Sequence, residues 1–178
     1  MKNVTKILSE EHQHILKVID VVLEECEQME NGKEINSNFF KDVIYFIKNY
    51  ADGFHHAKEE NILFKTMLDD PENMHCNPIP VMLHEHDEGR NFVKGMEGAL
   101  LDHDVQKLIE NASGYGYLMQ DHIYKEDNIL YPMAEEGLTD NQTQNVEGQD
   151  RNVSYEDFFK TDISDFILQL SQNRQGNL

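Results

Sequence analysis

The sequence predicts an all-α fold: an antiparallel up-down four-helix bundle with an appended C-terminal helical segment. Three observations lead there. Four long stretches carry apolar residues in alternating steps of three and four, the spacing that lines one face of an α-helix. The connectors between them are short and rich in turn formers, as antiparallel neighbours require. No stretch sustains a two-residue alternation, so no strand is expected.

The first helix is expected from about Val4 to Met29, with Leu8, His12, Ile15, Ile19, Val22, Cys26 and Met29 on its inward seam. Asn31-Gly32 ends it. His14 lies roughly 200° around the helix from His12, beside acids. A second helix fits from about Ser37 to Leu68, capped by Asn36 or Ser37. Ile44, Ile47, Ala51, His55, Glu59, Ile62 and Thr66 face inward. The turn-forming segment DDPENMHCNPIP then joins the two halves. The third helix spans about Ile79 to Leu101, with Ile79, Met82, His86, Gly89, Val93, Met96 and Leu100 on one face. Asp102-His103-Asp104 makes a tight connection and caps the fourth. That helix runs from about Val105 to Glu135, with Tyr115, Leu118, His122, Glu126, Ile129 and Met133 inward. Gly114 and Gly116 interrupt good helix formers at up to about 1 kcal/mol each. Close packing against helix two is the expected reason, a channel toward the site the functional alternative. The bundle thus occupies residues 1–137. Residues 138–153 read as a polar linker, and 154–178 as an amphipathic helical tail that folds back on the bundle. In that tail Ser154 and Asp157 resemble a capping box.

With 178 residues the chain can bury one real core. Its 34 acids against 15 bases leave a net charge of -19. That charge repels a phosphate backbone or an anionic bilayer, so neither nucleic acid nor membrane is expected as a partner. No apolar run approaches the roughly 20 residues that span a bilayer, and the opening MKNVTKILSEEHQHIL lacks the apolar core of a leader. Cys26 and Cys76 form neither a disulfide framework nor a C-x-x-C motif. A reduced, cytoplasmic setting is expected, with Cys26 a buried apolar residue.

His12, His55, His86 and His122 each fall on the inward seam of a different helix. Glu59 and Glu126 follow His55 and His122 by one helical turn, so each pair aims an imidazole and a carboxylate at one point. Two buried glutamates without a cation would cost on the order of several kcal/mol per charge; two divalent cations relieve that. These six residues are therefore the candidate metal ligands. The near absence of cysteine argues against an iron–sulfur cluster or a structural zinc. Each ion would receive two imidazoles and one oxygen from each bridging glutamate, and an oxo or hydroxo bridge completes five. Iron prefers six, which leaves a position for O2, NO or peroxide. Two irons per chain are the expected cofactor, with zinc or manganese as alternatives. Asp127 competes with Glu126 for the bridging role, and Glu126 is favoured because its angle matches Ile129 and Met133. His56 and Glu60 form a second pair roughly 100° off the seam, expected to face solvent or to sit behind the ligands. Asp87, Glu88 and Arg90 read as a surface charge cluster, and His75 and His103 as ordinary surface residues.

With His12, the strings HHAKEENILF, EHDEGR and HIYKEDNILYP resemble the hemerythrin-like HHE cation-binding family over roughly residues 5–135. The resemblance implies a four-helix bundle and a non-haem di-iron centre. It also implies O2 carriage or sensing, nitric-oxide or peroxide responses, or iron handling. Family usage places a bridging aspartate at the spacing Asp127 occupies. Oxygen-carrying members have a His-x-x-x-His pair on the third helix, but here Met82 and Arg90 stand four residues either side of His86, and His84 is far off the seam. Four histidines and two glutamates are closer to the iron-centre repair proteins, which usually carry a cysteine-bearing N-terminal domain not found in this sequence. The expected function is a di-iron protein binding O2, NO or peroxide as sensor, carrier or scavenger. The alternatives are a di-iron oxidoreductase of peroxidase, NO-reductase or ferroxidase type, an iron donor for damaged iron centres, or an interaction module stabilised by metal.

Overall fold

Seams that bury one stripe per helix build, in the computed structural model, four long rods and two shorter helices. The model describes residues 4–70 and 76–175, and no strand occurs among them. His75 lies outside the described residues. Helix α1 is Lys6–Glu30. Helix α2 covers 37–69: an α-helical start Ser37–Phe46, π-helical stretches Ile47–His56 and Glu59–Phe64, and an α-helical end Lys65–Asp69. Helix α3 is Ile79–Asp102. Helix α4 covers 105–137, with the π-helical stretch Glu126–Leu130 set between Val105–Lys125 and Tyr131–Gly137. Helices α5, Asp140–Arg151, and α6, Ile163–Gln175, follow.

The ends follow ordinary capping chemistry. Gly32 takes the left-handed conformation (φ +98°) that closes a helix C-terminus. The Asn36 side chain accepts from the Phe39 amide at 3.1 Å, and Asp104 accepts from Lys107 at 3.0 Å. Helix α4 packs on both α3 and α1, and α6 lies on α1 and the start of α2. Glycines allow the closest approaches. A β-carbon on Gly114 would stand 2.6 Å from the Phe92 ring of α3, and one on Gly116 2.8 Å from Leu23 of α1. The small residues therefore admit α3 and α1, not α2 as the sequence suggested.

The buried apolar residues form two clusters. One gathers Ile15, Val22, Phe40, Tyr50, Met96, Met119 and their neighbours. The other gathers Leu8, Leu63, Phe64, Ile79, Met82, Leu130 and Tyr131. Polar seam residues fall between these clusters in sequence: His12 between Leu8 and Ile15, His55 and Glu59 between Phe54 and Ile62, His86 between Met82 and Val93, and Glu126 between Ile123 and Leu130. A buried polar layer thus divides the core.

Two readings of pattern are corrected. Residues 140–151, which composition marked as linker, form a helix with a complete Thr139–Gln142 capping box. Beyond Glu126, Ile129 is 50% exposed, whereas Leu130, Tyr131 and Ala134 are buried. The π-helical turn holds an extra residue and rotates the stripe that follows it. The tail does fold back. Phe159, Ile163, Phe166 and Leu170 are buried, and the Phe166 ring stacks on Phe46 at 5.7 Å. Ser154 caps only the three-residue turn Tyr155–Asp157; α6 begins instead on Asp162, whose carboxylate accepts from Ser164 and Asp165. No helix among the described residues is long and apolar enough to cross a membrane.

Candidate metal centre

The polar layer brings the six seam residues together and adds a seventh. His12, His55, Glu59 and Glu126 offer ligand atoms within 4.8 Å of one another; so do His56, Glu59, His86 and His122. Glu59 belongs to both sets. His12, His55, Glu59, His122 and Glu126 are fully buried, and His86 and His56 nearly so.

His56 is the residue sequence reasoning misplaced. On a regular α-helix it turns roughly 100° away from His55. In a π-helical stretch each amide reaches back five residues, the turn is wider, and rotation between neighbours is smaller. His55 and His56 therefore both stay inward, and His56 stacks on His86 with ring centroids 3.9 Å apart. The adjacent His-His pair was the visible signal.

Four of the imidazoles, those of His12, His55, His86 and His122, turn Nε2 toward the centre and anchor Nδ1 on a carboxylate outside it. His12 donates to Asp127 at 3.0 Å, His55 to Glu11 at 2.8 Å, His86 to Glu60 at 2.8 Å and His122 to Glu85 at 2.9 Å. Nδ1 of His56 lies 3.5 Å from Asp52. Such carboxylate–imidazole pairs fix ring orientation and raise donor strength in metal sites. Four of these carboxylates are held in turn by cations: Glu11 by Lys58, Glu60 and Asp52 by Arg90, and Glu85 by Lys125. Arg90 also binds Asp87, so it is a brace behind the site and not a detached surface cluster. Asp127 sits behind His12, while Glu126 occupies the interior. Tyr131, unforeseen in the sequence, donates to Glu59 at 2.6 Å and lies 3.3 Å from Nε2 of His12. A cavity of about 250 Å3 opens against His56, His86, Gly89 and Tyr115.

The remaining histidines play other parts. His14 meets the Tyr50 hydroxyl at 2.8 Å, His84 is 72% exposed beside Glu88, and His103 closes α3 in a left-handed turn.

The interior fits a cation on its own terms. Nε2 of His55, one oxygen of Glu59 and both oxygens of Glu126 are buried without a hydrogen-bond partner among the described residues. Nitrogens and oxygens crowd there regardless: His12 Nε2 is 3.3 Å and His122 Nε2 3.2 Å from the same Glu126 oxygen. Lone pairs so disposed repel unless protons or cations lie between them. His86 and His122 approach to 3.0 Å through their Nε2 atoms.

Protonation follows the same logic. Burial opposes charge on His12, but its bond to Asp127 and the nearby Glu126 carboxylate prevail and lift it to about 9. Burial likewise opposes charge on His122, yet the Glu126 carboxylate lifts it to about 10. Burial drives His55 and His56 down to about 3. It also disfavours charge on Glu59, but His55 and His86 hold that carboxyl well below its usual range. Metal ligation needs unprotonated imidazoles. Loading divalent cations at pH 7 is thus expected to release protons, those of His12 and His122 among them. Calorimetry in buffers of different ionisation enthalpy counts them, and zero release would refute this protonation pattern. Both folded values lie above the ordinary 6.5. Their stabilisation of the metal-free chain is therefore complete below that pH and lost as pH climbs through 9 to 10. Metal affinity rises over the same interval.

A family model described as the hemerythrin HHE cation binding domain matches residues 3–134. No curated protein matches the chain.

Proposed function

Since the chain belongs to the hemerythrin HHE cation-binding family, we propose that its buried centre holds two iron ions and binds O2, nitric oxide or peroxide, as sensor, carrier or scavenger. The observation that carries this reading is Glu59, a fully buried carboxylate common to both ligand sets. One carboxylate serving two clusters of imidazoles suits a bridged pair of cations better than two separate sites. Imidazole and carboxylate donors with no thiolate suit iron, manganese or zinc. An antiparallel up-down arrangement of α1 to α4 is the architecture in which four rods present these donors at one level.

The two sets of four donors differ in make-up. His12 and His55 serve one cation; His56, His86 and His122 serve the other. The Tyr131 hydroxyl, which donates to the shared Glu59, lies beside His12 of the first set. Iron in the centre supplies one-electron chemistry and a coordination site. The protein orients four of the imidazoles through their outer carboxylates and flanks the layer with an apolar cluster on either side. Cys26 and Cys76 are both free, which supports a reducing, cytoplasmic setting.

Metal analysis with an optical spectrum of freshly purified protein tests the reading. Two irons per chain and a visible charge-transfer band that responds to O2, NO or peroxide are expected. Stoichiometric zinc, with no band after ferrous iron and air, would refute it.

A further inference from the structure

Lys58 is a buried cation that metal ligation does not account for. It is 3% exposed and lies over the Phe54 ring, 4.4 Å from its centroid. A lysine so enclosed needs carboxylates to offset lost hydration. It has two: Glu11 at 2.5 Å and Asp150 at 3.2 Å. The other Glu11 oxygen accepts from Nδ1 of His55. Asp150 lies on α5, beyond the residues matched by the family model. A continuous path of short contacts therefore runs from the C-terminal extension, through Lys58 and Glu11, to an imidazole of the centre.

We propose that Asp150 is a positioning residue for His55, so that the C-terminal extension forms part of the support of the metal centre. The inference rests on the di-metal reading above. Lys58 shares its charge between two acids, and this leaves Glu11 one oxygen free for His55. Without the Asp150 charge, Lys58 draws on Glu11 alone and the hold on the His55 ring slackens. The corresponding cations behind His86 and His122 differ in one respect. Arg90 and Lys125 are each 34% exposed, so water can complete their shells. Lys58 has no such recourse and depends on the second acid. Helix α5 is held in place by other means as well, through its capping box and through Val146, buried in the second apolar cluster.

Two variants of the full chain separate this charge from mere packing. Asp150→Asn keeps the shape and removes the charge; Val146→Ala keeps the charge and loosens α5. Cobalt(II) is titrated into each metal-free protein against a competing chelator, and the shifted ring N–H signals of the cobalt-bound histidines are followed by NMR. Asp150→Asn is expected to weaken one of the two ions about tenfold, the lower end for groups behind a ligand, and to move the His55 ring signal alone. Val146→Ala is expected to lower the melting temperature while leaving both affinities and all ring signals in place. Wild-type affinity and an unmoved His55 signal in Asp150→Asn would overturn the proposal, as would equal weakening by Val146→Ala. Failure of the unaltered chain to bind two ions is a different outcome; it would overturn the di-metal reading and this inference with it.

Discussion

Glu59→Ala is expected to abolish binding of both ions. Glu59 is the one side chain common to both ligand sets, and its removal takes an anionic donor from each. Losing a group behind a ligand typically lowers metal affinity about 10–100-fold; losing a donor shared by two ions should exceed about 100-fold for the pair. The free carboxylate also keeps Glu126 company at close quarters, where Glu59 pushes the Glu126 carboxyl up while His122 and His12 pull it down. Glu59→Ala removes that repulsion, so the metal-free variant should fold. Thermal melts then give a second readout. Metal bound only by the native state raises the melting temperature, so a chelator should destabilise the wild type and leave Glu59→Ala unchanged. Two ions retained by Glu59→Ala would disprove the shared-ligand arrangement.

His56→Ala is expected to strip one ion and spare the other. His56 joins only the set that contains His86 and His122, and its ring covers His86 from the cavity side. Its loss should weaken that ion at least about tenfold, leaving about one ion per chain after passage through a mild chelator. His84→Ala is the control: it lies on the neighbouring helix but is 72% exposed, and full metal content is expected. Two tightly held ions in His56→Ala would place His56 outside the centre.

His56 also shows where pattern reading ran out. Seam positions such as Leu8, Ile15, Ile47, Met82 and Val93 were legible because each helix keeps its period there, and all are buried. The caps at Asn36 and Asp104 were legible because their chemistry is local. The π-helical stretches were not. They depend on which residues the fold must turn inward together, so a regular 3.6-residue period misplaced His56, Ile129 and Tyr131. Helix α5 escaped for another reason: its buried residues are Thr143, Val146 and Asp150, with a single apolar side chain among them. Its signal was the Thr139-x-x-Gln142 cap, which composition obscured. The outer carboxylates Glu11, Glu60 and Glu85 each come from a helix other than that of the histidine they hold, and such long-range pairings leave no trace in spacing.

Among the hydrogen-bonded carboxylates behind the imidazoles, Asp127 stands apart. Glu11, Glu60 and Glu85 each face a lysine or arginine, whereas Asp127 accepts its further bond from the uncharged Ser9 hydroxyl at 2.7 Å. No lysine or arginine pairs with it among the described residues. The two sets of imidazoles therefore differ in what stands behind them: His12 alone leans on a carboxylate backed by a hydroxyl, whereas His55, His86 and His122 lean on carboxylates whose charge a lysine or arginine shares.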